Sequence, residues 1–387
     1  MKVVYIADIG IEGGATKSLI ELVSTMKENH DVEPVVLTSR SSRLNQLLTN
    51  AGIENHSVGH GAFLQGAPDS LWKKPIKWML YGAHYYSHIN SSLKKALEAV
   101  DWKSVDLIHT NVARDDIGMM ISEKTGVPNI CHIREFAELD FNCWSYRKNY
   151  VKYLAEHTDG FIAISQAVKD CWIRKGIPGE KIKVIYNGVN GSIIRKADHS
   201  GWENAPVIKM VIAGGVIPNK GQWQAIEALC GLPEYIRKNI RLDVIGGITR
   251  GYKNRLQKPL REHNILDLVR FPGPCSDLYE RLKDYHIGLM CSKAEGFGRV
   301  TVEYMHAGLA VIASNRGANP ELIENNKNGI LYDYNNISEL SGAVEKLFTD
   351  RKKLIETAEK GMASAEKYTK ELNAENIYNC YKLITGR

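Results

Sequence analysis

The stretch HIGLMCSKAEGFGRVTVEYMHAGLAVIAS, residues 286–314, decides the fold. HIGLMCS at its start and LAVIAS at its end are apolar runs of the length of buried strands. Between them, KAEGFG is a turn with two glycines, and the residues from near Arg299 onward predict a helix. A strand, a turn, a helix and a second strand in this order are the repeating element of a parallel sheet.

The same alternation extends to both sides of this stretch. Before it, strands are predicted for KVVYIAD, DVEPVVLTSR, VDLIHTN, VPNICHI, TDGFIAIS, KIKVIYNGV, VIKMVIAGGV, IRLDVIGG and LVRFPG, and after it for GILYD. The first predicted helix has apolar residues at helical spacing: Leu19, Leu22, Val23 and Met26. We therefore predict an α/β protein with two doubly wound parallel sheets, each covered by helices on both faces.

One polar segment, NGSIIRKADHSGWENAP at 190–206, interrupts the alternation and predicts a linker. It divides the 387 residues, which are too many for one hydrophobic core, into a first domain of residues 1–190 and a second domain that begins at 191. Ligands of such sheets bind outside the carboxyl ends of the strands. We therefore expect the site in a cleft between the two domains.

Composition limits the kinds of partner and compartment. The net charge of +6 fits an anionic substrate or an anionic membrane surface and does not indicate nucleic acid. The seven cysteines form no C-x-x-C pair, so free thiols in a reducing compartment are expected. MKVVYIADIG predicts a strand and not a signal peptide, and no apolar run approaches the roughly 18 residues of a membrane span. These features favour a cytoplasmic protein.

The turn before the helix near residue 299 has the chemistry of a phosphate site. The first amides of a helix have no partner within it and lie at the positive end of its dipole. Gly296 and Gly298 allow a ligand to approach the backbone closely. Glu295 and Glu303 cannot both face a phosphate, but carboxylates accept hydrogen bonds from hydroxyl groups. The predicted ligand is therefore a diphosphate between two polyols, a nucleotide sugar. The alternative for Glu303 is a surface helix whose first-turn acid caps its dipole.

EGFGRVTVE resembles the E-x7-E signature of family 4 glycosyltransferases, which have two Rossmann-like domains in the GT-B architecture. Further fragments resemble the family in the same order: GGATKSL, HIREFAELD, IAISQAV, YNGVN, PNKGQ, GANPELI and AENIYNCYKLI. HIREFAELD resembles a segment of a bacterial subgroup, the polysaccharide-type group 1 enzymes. The last fragment resembles a C-terminal helix, about 367–387, that returns to the first domain, so the second domain ends at 366.

The resemblance implies roles for individual residues. Glu303 would bind the ribose hydroxyls of the donor, and Glu295 with the backbone of 296–298 would hold the transferred sugar. Lys220 would neutralise the leaving diphosphate. The whole implied donor set is Gly13, Gly14, Lys220, Glu295, Gly296, Phe297, Gly298, Arg299, Val300 and Glu303. The alternatives are a solvated lysine after a proline turn for Lys220, and a helix-entry turn for the two N-terminal glycines.

At one position the sequence departs from the family. Where the family usually has Gly-Arg, this chain has Gly214 and Gly215, and the missing arginine is a second diphosphate cation. Arg299, Arg316 or Arg250 could replace it. Gly215 and Gly246 are nevertheless kept as possible members of the site.

In the first domain the family often has a histidine that contacts the donor sugar. CHIREF offers His132 and Arg134, whose side chains point to the same face of an extended segment. His132 is predicted to be the catalytic residue of this domain, beside Lys220 and Glu295 of the second, and its alternative is a satisfied core histidine. Arg134, Glu135 and Asn187 are possible further site residues.

The resemblance also implies retention at the anomeric carbon without a metal or other cofactor. The leaving diphosphate oxygen would take the acceptor proton during front-side attack. The sequence contains no Asp-x-Asp with a histidine cluster, in agreement with a reaction without a metal. Asp115 and Asp116 are only an isolated pair, which predicts a helix start. No residue is an obvious nucleophile with a paired base.

The expected donor is a UDP- or GDP-sugar, and the expected acceptor is a glycan or a lipid-linked glycan of a surface polysaccharide. The basic aromatic segment LWKKPIKWMLYGAHYYSHI, 71–89, predicts either a helix at an anionic membrane, on the inner face of the cell membrane, or a helix packed on its own domain. Two other functions fit the same fold: a nucleotide-sugar epimerase or hydrolase, and a nucleotide-sugar-binding protein with weakened catalysis.

Overall fold

The computed structural model describes residues 1–7, 14–66, 74–137 and 143–387. It divides into two compact units. Unit 1 comprises Met1–Gly188 together with Lys370–Arg387, and unit 2 comprises Val189–Thr369. The boundaries expected from the sequence, after 190 and after 366, lie within three residues of these.

The elements of unit 1 alternate between strand and helix along most of its length. Its strands are β1 (Lys2–Ala7), β2 (Glu33–Thr38), β3 (Glu54–Ser57), β4 (Leu64–Gly66), β5 (Leu107–Thr110), β6 (Asn129–Ile133), β7 (Cys143–Ser145), β8 (Gly160–Ala163) and β9 (Ile182–Val184). Its helices up to residue 188 are α1 (Gly14–Asn29), α2 (Arg43–Asn50), α3 (Lys74–Ala99), α4 (Ile117–Thr125), α5 (Tyr150–Glu156) and α6 (Gln166–Lys175).

Unit 2 has the same alternation. Its strands are β10 (Ile208–Ala213), β11 (Ile240–Ile245), β12 (Val269–Gly273), β13 (Ile287–Met290), β14 (Ala310–Ser314) and β15 (Ile330–Tyr332). Its helices are α7 (Gln222–Gly231), α8 (Glu234–Arg237), α9 (Arg250–Glu262), α10 (Leu278–Arg281), α11 (Arg299–His306), α12 (Asn319–Leu322), α13 (Ile337–Thr349) and α14 (Arg351–Ala365). The last helix of the chain, α15 (Lys370–Thr385), belongs to unit 1.

Each unit contains one parallel sheet whose strand order reverses in the middle. The order is β3-β2-β1-β5-β6-β8-β9 in unit 1 and β12-β11-β10-β13-β14-β15 in unit 2. In unit 1 the chain adds β2 and β3 on one side of β1 and then adds β5, β6, β8 and β9 on the other side. In unit 2 it adds β11 and β12 on one side of β10 and then β13, β14 and β15 on the other. Ligands of doubly wound sheets bind at such reversal points, outside the carboxyl ends of the strands. The predicted α/β class with two parallel sheets is confirmed.

Apolar periodicity explains how the helices pack on the sheet of unit 1. Leu19, Leu22, Val23 and Met26 of α1 are buried, as their spacing predicts. They share one hydrophobic cluster with the buried face of α15, which consists of Ala374, Ile377, Cys380 and Tyr381. The C-terminal helix is therefore part of the core of unit 1.

The structure corrects the linker prediction. Residues 190–206 form short 3-10 turns, Gly191–Ile193 and His199–Asn204, and not an open connection. Trp202 is 5% exposed and is part of the hydrophobic core of unit 2. The polar composition of the segment concealed this one large apolar anchor.

Helix α3 is buried along one half and exposed along the other. Its C-terminal half buries Tyr85, Ile89, Leu93 and Ala96 at helical spacing, and so packs on unit 1. Its N-terminal half exposes Ile76, Trp78, Met79, Leu80 and Tyr81. No helix in the described ranges combines the length and the apolar character that crossing a membrane requires.

Candidate functional site

In unit 2 the predicted turn and helix lie at the point where the strand order reverses. Strand β13 is fully buried, and α11 begins at Arg299 after Gly298, whose φ is 91°. No side chain of the described residues caps this helix, and its first turn contains no acidic residue. Its first amides therefore have no partner within the helix, as the sequence predicts.

Glu303 is buried in the fifth position of α11, with 4% of its surface exposed. Its Oε1 accepts a hydrogen bond from the Tyr279 hydroxyl at 2.8 Å, and Nε of Arg299 lies 3.6 Å from the same oxygen. These contacts fix the carboxylate in one position. The alternative of a surface helix with a capping acid is wrong, because seven of the eight residues of α11 are buried and Glu303 lies beyond the first turn.

Lys220 and Glu295 are brought together as an ion pair. Nζ of Lys220 lies 2.8 Å from Oε2 of Glu295, and their side chains are 37% and 15% exposed. The lysine ends the 3-10 turn Pro218–Lys220, which follows β10, and the glutamate lies in the turn after β13. The loops after the two central strands therefore present one cation and one carboxylate at the same place.

Two glycines allow the loop after β13 to be approached closely, one from the loop after β10 and one from the loop after β14. Gly221 has φ 69°, and a Cβ there would lie 1.8 Å from the carbonyl oxygen of Cys291. Gly317 has φ 60°, and a Cβ there would lie 2.2 Å from the carbonyl oxygen of Glu295. Only glycine tolerates both the left-handed conformation and so close an approach. The Glu295 carbonyl also accepts from the amide of Ala318 at 2.9 Å, which fixes the backbone of the turn.

Gly215 lies exposed on the loop after β10, and a Cβ there would meet nothing within 4 Å. Lack of space therefore does not explain the missing arginine. Of its three possible replacements, Arg299 is buried beside Glu303, Arg316 lies with its guanidinium 5.9 Å from the centre of the Tyr334 ring, and Arg250 is exposed at the start of α9. Gly246 follows the neighbouring strand β11.

The remaining donor residues predicted in this part of the chain lie around the same turn. Phe297 is buried, and its ring meets that of Tyr368 edge-on at 5.8 Å. Gly296 and Val300 are half-buried. Of the two N-terminal glycines, Gly14 is the first residue of α1, whereas Gly13 lies outside the described residues.

Five side chains of unit 1 form a continuous hydrogen-bonded chain. Tyr5 and Tyr381 hydroxyls are 3.3 Å apart, and the Tyr381 hydroxyl lies 2.5 Å from Nδ1 of His109. Nε2 of His109 lies 3.2 Å from Nδ1 of His132, which is also 3.1 Å from Nη2 of Arg134. All are buried except Arg134, which is half-buried.

Arg134 fixes the direction of this chain. A guanidinium has donors and no acceptor, so Nδ1 of His132 must accept and the ring proton must lie on Nε2. Nε2 of His109 then donates, and its Nδ1 accepts from Tyr381. Burial, followed by the charge of Arg134, lowers the pKa of His109 to about 3 and that of His132 well below its ordinary value. Nε2 of His132 has no hydrogen-bond partner among the described residues.

Arg134 is held on its other side by two asparagines. Its Nε donates to the carbonyl and side-chain oxygens of Asn111 at 3.0 Å each, and its Nη1 donates to Oδ1 of Asn187 at 2.8 Å. His132, Arg134 and Asn187 are therefore brought together. Glu135 is also buried, and its carbonyl accepts from Nε1 of Trp172 at 2.8 Å.

The sequence did not reveal several polar residues that matter here. His109 and Tyr381 occur in apolar segments that predict only a strand and a helix. Asp115 and Asp116 do precede α4, as predicted, but both are fully buried. Asp115 pairs with His60, and Asp116 accepts from Tyr85 and Arg147. The signal in the sequence that could have indicated these buried ion pairs is the close pair of aspartates before an apolar helix.

The chain matches two family models, one for each half. Residues 196–363 match the model described as Glycosyl transferases group 1, and residues 12–192 match the model described as Glycosyltransferase Family 4. The boundary between the two matches coincides with the start of unit 2 within a few residues.

Two relatives illustrate the similarity in sequence, one along nearly the whole chain and one along part of it. An uncharacterized glycosyltransferase of Methanocaldococcus jannaschii is 23% identical over 382 residues, which cover 96% of this chain and 95% of the relative. The GDP-mannose-dependent alpha-(1-6)-phosphatidylinositol monomannoside mannosyltransferase of Mycobacterium tuberculosis is 27% identical over 157 residues, which cover 38% of this chain and 40% of that enzyme.

Two solved structures illustrate the structural likeness. Anabaena HepE, in complex with UDP and glucose, has a TM-score of 0.77 at 20% identity and covers 99% of this chain with 100% of its own. WaaG, a glycosyltransferase involved in lipopolysaccharide biosynthesis, has a TM-score of 0.66 at 14% identity, with 100% of both chains covered. At these identities the likeness shows the fold, GT-B, and nothing further.

Proposed function

Because the chain belongs to the group 1, family 4 glycosyltransferases, we propose that it transfers a sugar from a UDP- or GDP-sugar, with retention, to a glycan or lipid-linked acceptor. One observation carries the proposal. The loops after β10 and β13 meet where the strand order of unit 2 reverses, and they present Lys220 and Glu295 beside the uncapped start of α11. A cation, the N-terminal amides of a helix and carboxylates in one place suit a diphosphate linked to sugars.

Each group of unit 2 has a proposed role. The amides at the start of α11 and the ammonium of Lys220 bind the diphosphate and stabilise the charge that grows on it as the sugar leaves. Glu303 accepts hydrogen bonds from the ribose hydroxyls, and Glu295 with the backbone of 296–298 binds the transferred sugar. The leaving diphosphate oxygen takes the proton of the acceptor hydroxyl, so no separate base is required.

In unit 1 the contact with the donor sugar involves the pair His132 and Arg134. The sequence favours His132, but its ring is fully buried whereas Arg134 is half-buried. We propose that Arg134 makes the contact and that His132 orients it through Nδ1, with Asn187 holding the other side of the guanidinium. If so, Arg134→Gln lowers kcat/KM more than His132→Gln. A larger loss for His132→Gln would reverse the assignment.

The experiment that tests the function is incubation with UDP- and GDP-sugars, with and without glycan acceptors, followed by mass spectrometry. Transfer to an acceptor supports the proposal. A changed sugar without an acceptor indicates an epimerase or hydrolase, and tight binding without turnover indicates a binding protein. The anomeric configuration of the product, read by NMR, tests retention. Activity that persists after exhaustive chelation supports a reaction without a metal.

We further propose that the exposed half of α3 contacts an anionic membrane on the side where the acceptor lipid is found. Trp78 and Leu80 are 46% and 61% exposed, and Lys77 of the same helix provides positive charge. The test is sedimentation with vesicles of phosphatidylcholine alone or with phosphatidylglycerol. Trp78→Ala with Leu80→Ser should abolish binding to the anionic vesicles, whereas Leu383→Ser, which changes another exposed leucine, should not. Equal binding of both variants would contradict the contact.

A further inference from the structure

The two central strands of the unit 2 sheet separate before they end. Pairing of β10 with β13 stops at Val211 and Gly288, although β10 continues to Ala213 and β13 continues to Met290. Strand β13 keeps its pairing with β14 over its whole length. A gap therefore opens at the carboxyl ends of β10 and β13, from which the two loops of the proposed diphosphate site begin.

The gap removes the strand partner of one backbone amide. The amides along a parallel strand point alternately to its two neighbours. The amide of Gly214 donates to the carbonyl of Ile245 in β11 at 2.9 Å, so the amide of Ala213 points to the other side, toward β13. Pairing with β13 has ended two residues earlier, at Val211. A buried amide without a partner is costly, so the fold must supply an acceptor from elsewhere.

Tyr304 of α11 supplies that acceptor. Its hydroxyl accepts from the amide of Ala213 at 2.7 Å, and the whole side chain is buried. Its ring lies against Gly288, where a Cβ would be 2.3 Å from a ring carbon. The tyrosine can therefore reach the gap because β13 has no side chain at that position.

This hydrogen bond fixes the start of the loop that leads to Lys220. Near its other end the loop is tied to the loop after β13, since the amide of Lys293 donates to the carbonyl of Asn219 at 2.9 Å. Of these two ties, that of Tyr304 reaches α11, whose first amides are proposed to bind the diphosphate. The distance between those amides and the ammonium of Lys220 therefore depends on Tyr304.

We propose that Tyr304 is a positioning residue for the donor diphosphate, because its hydroxyl holds the Lys220 loop and the start of α11 at the spacing at which both meet one diphosphate. The inference rests on the proposed glycosyltransferase function and deepens it. Tyr304 has no exposed surface, so it acts through these groups and not by contact with the nucleotide. Binding of the nucleoside alone should not depend on its hydroxyl.

The chain offers a substitution that removes this one hydroxyl and a matched control. Tyr304→Phe keeps the ring on Gly288. The control is Tyr285→Phe, since Tyr285 is also buried and its hydroxyl donates to Oδ2 of Asp243 at 2.6 Å. Tyr285 precedes β13 and so lies toward the opposite edge of the sheet. Each substitution is made in the wild type and in Lys220→Ala.

Calorimetry with UDP, GDP, uridine and guanosine measures binding to the full chain. Tyr304→Phe should lower the affinity for the diphosphate that binds the wild type about fivefold, as the loss of one hydrogen bond predicts, and change that for its nucleoside by less than about twofold. In Lys220→Ala the same substitution should have little further effect, because the two residues act as one unit. Tyr285→Phe should leave these affinities unchanged in both backgrounds.

A general loss of structure would instead weaken diphosphate and nucleoside alike, or would add to the effect of Lys220→Ala. Either result, or an unchanged diphosphate affinity in Tyr304→Phe, would overturn the inference. If neither UDP nor GDP binds the wild type, the donor proposal fails and this inference fails with it. If one of them binds and the other results are negative, only the role of Tyr304 fails.

Hydrogen exchange of the wild type covers the case in which Tyr304→Phe does not fold. The amide of Ala213 should exchange as slowly as the amides of β10 that bond to β11, because it is hydrogen-bonded and buried. UDP or GDP should slow its exchange further, and the nucleoside should not. Rapid exchange in the free protein, or equal responses to diphosphate and nucleoside, would contradict the proposal.

Discussion

The hydroxyl of Tyr381 lies 2.5 Å from Nδ1 of His109, although 272 residues separate the two along the chain. The contact ties α15, the last helix, to the central strand β5 of unit 1. Through His109 it reaches His132, whose Nδ1 also accepts from Arg134. The C-terminal helix therefore contributes to the order of a residue pair proposed to act on the donor.

Tyr381→Phe should destabilise the protein by about 1–3 kcal/mol, because it leaves the buried Nδ1 of His109 without a donor. Urea denaturation measures the change in the free energy of unfolding. Tyr378→Phe is the control, since Tyr378 is on the same helix but only half-buried, and it should change stability by less than about 0.5 kcal/mol. If the two substitutions change the free energy of unfolding equally, the hydrogen bond between Tyr381 and His109 does not stabilise the protein.

Buried histidines should make the protein less stable in acid. The pKa of His109 is lowered to about 3, and that of His132 lies well below its ordinary value of 6.5. As pH falls below about 6.5 the unfolded chain binds protons at both positions and the folded protein does not. Stability is therefore complete above that pH and is lost below it, by about 1.4 kcal/mol per pH unit for each histidine.

His109→Gln isolates one of these contributions, because glutamine does not titrate. Between about pH 7 and pH 5, its free energy of unfolding should fall less steeply than that of the wild type, by about one histidine's share. His263→Gln, at an exposed histidine, is the control substitution. If the His109→Gln and wild-type slopes are parallel, His109 is not held neutral in the folded protein.

The elements around the donor site could be predicted because their signals are local. The apolar run before Cys291, the glycines of the turn and the helix from Arg299 all lie within one short stretch, and the structure has them there. By contrast, β3, with the sequence ENHS, has no apolar alternation, since it is an edge strand of the sheet and half of it is exposed. It was not predicted.

Contacts between residues that are far apart along the chain could not be predicted from the sequence, for a different reason. The pairing of Lys220 with Glu295 depends on the close approach of two loops, which Gly221 permits. Neither residue type nor spacing reveals which loops meet. The burial of His132 is likewise a property of the folded unit, so sequence reasoning could select the residue pair but not the member that reaches the surface.

Lys220→Ala should reduce transfer by about 10²–10³-fold, because it removes the proposed stabilising charge from the leaving diphosphate. Affinity for the nucleoside alone, measured by calorimetry, should change by less than about twofold. Lys293→Ala, an exposed lysine on the neighbouring loop, is the control. An equal loss of transfer and nucleoside affinity would contradict the diphosphate role.

Glu303→Gln should weaken binding of UDP or GDP by about tenfold or more, because a neutral amide is a poorer acceptor for ribose hydroxyls than a carboxylate. Glutamine keeps the shape beside Tyr279 and Arg299, and thermal denaturation verifies that the fold persists. The corresponding 2′-deoxynucleotide should bind wild type and variant more nearly alike. Glu324→Gln, in an exposed ion pair with Lys327, should have no effect. A ribose role is excluded if UDP, GDP and their deoxy forms lose affinity equally.

Gly215→Arg should restore the cation that the family usually has at this position. A Cβ at 215 meets nothing within 4 Å and the residue is exposed, so the larger side chain can be accommodated. A guanidinium forms bidentate hydrogen bonds with phosphate oxygens, and we expect UDP or GDP to bind about tenfold more tightly at low salt. The gain should shrink as the salt concentration rises, because exposed charges are screened. Gly215→Gln adds comparable bulk without the charge and should leave affinity nearly unchanged. If arginine and glutamine have the same effect, the diphosphate does not bind beside this loop, and the assignment of Lys220 fails with it.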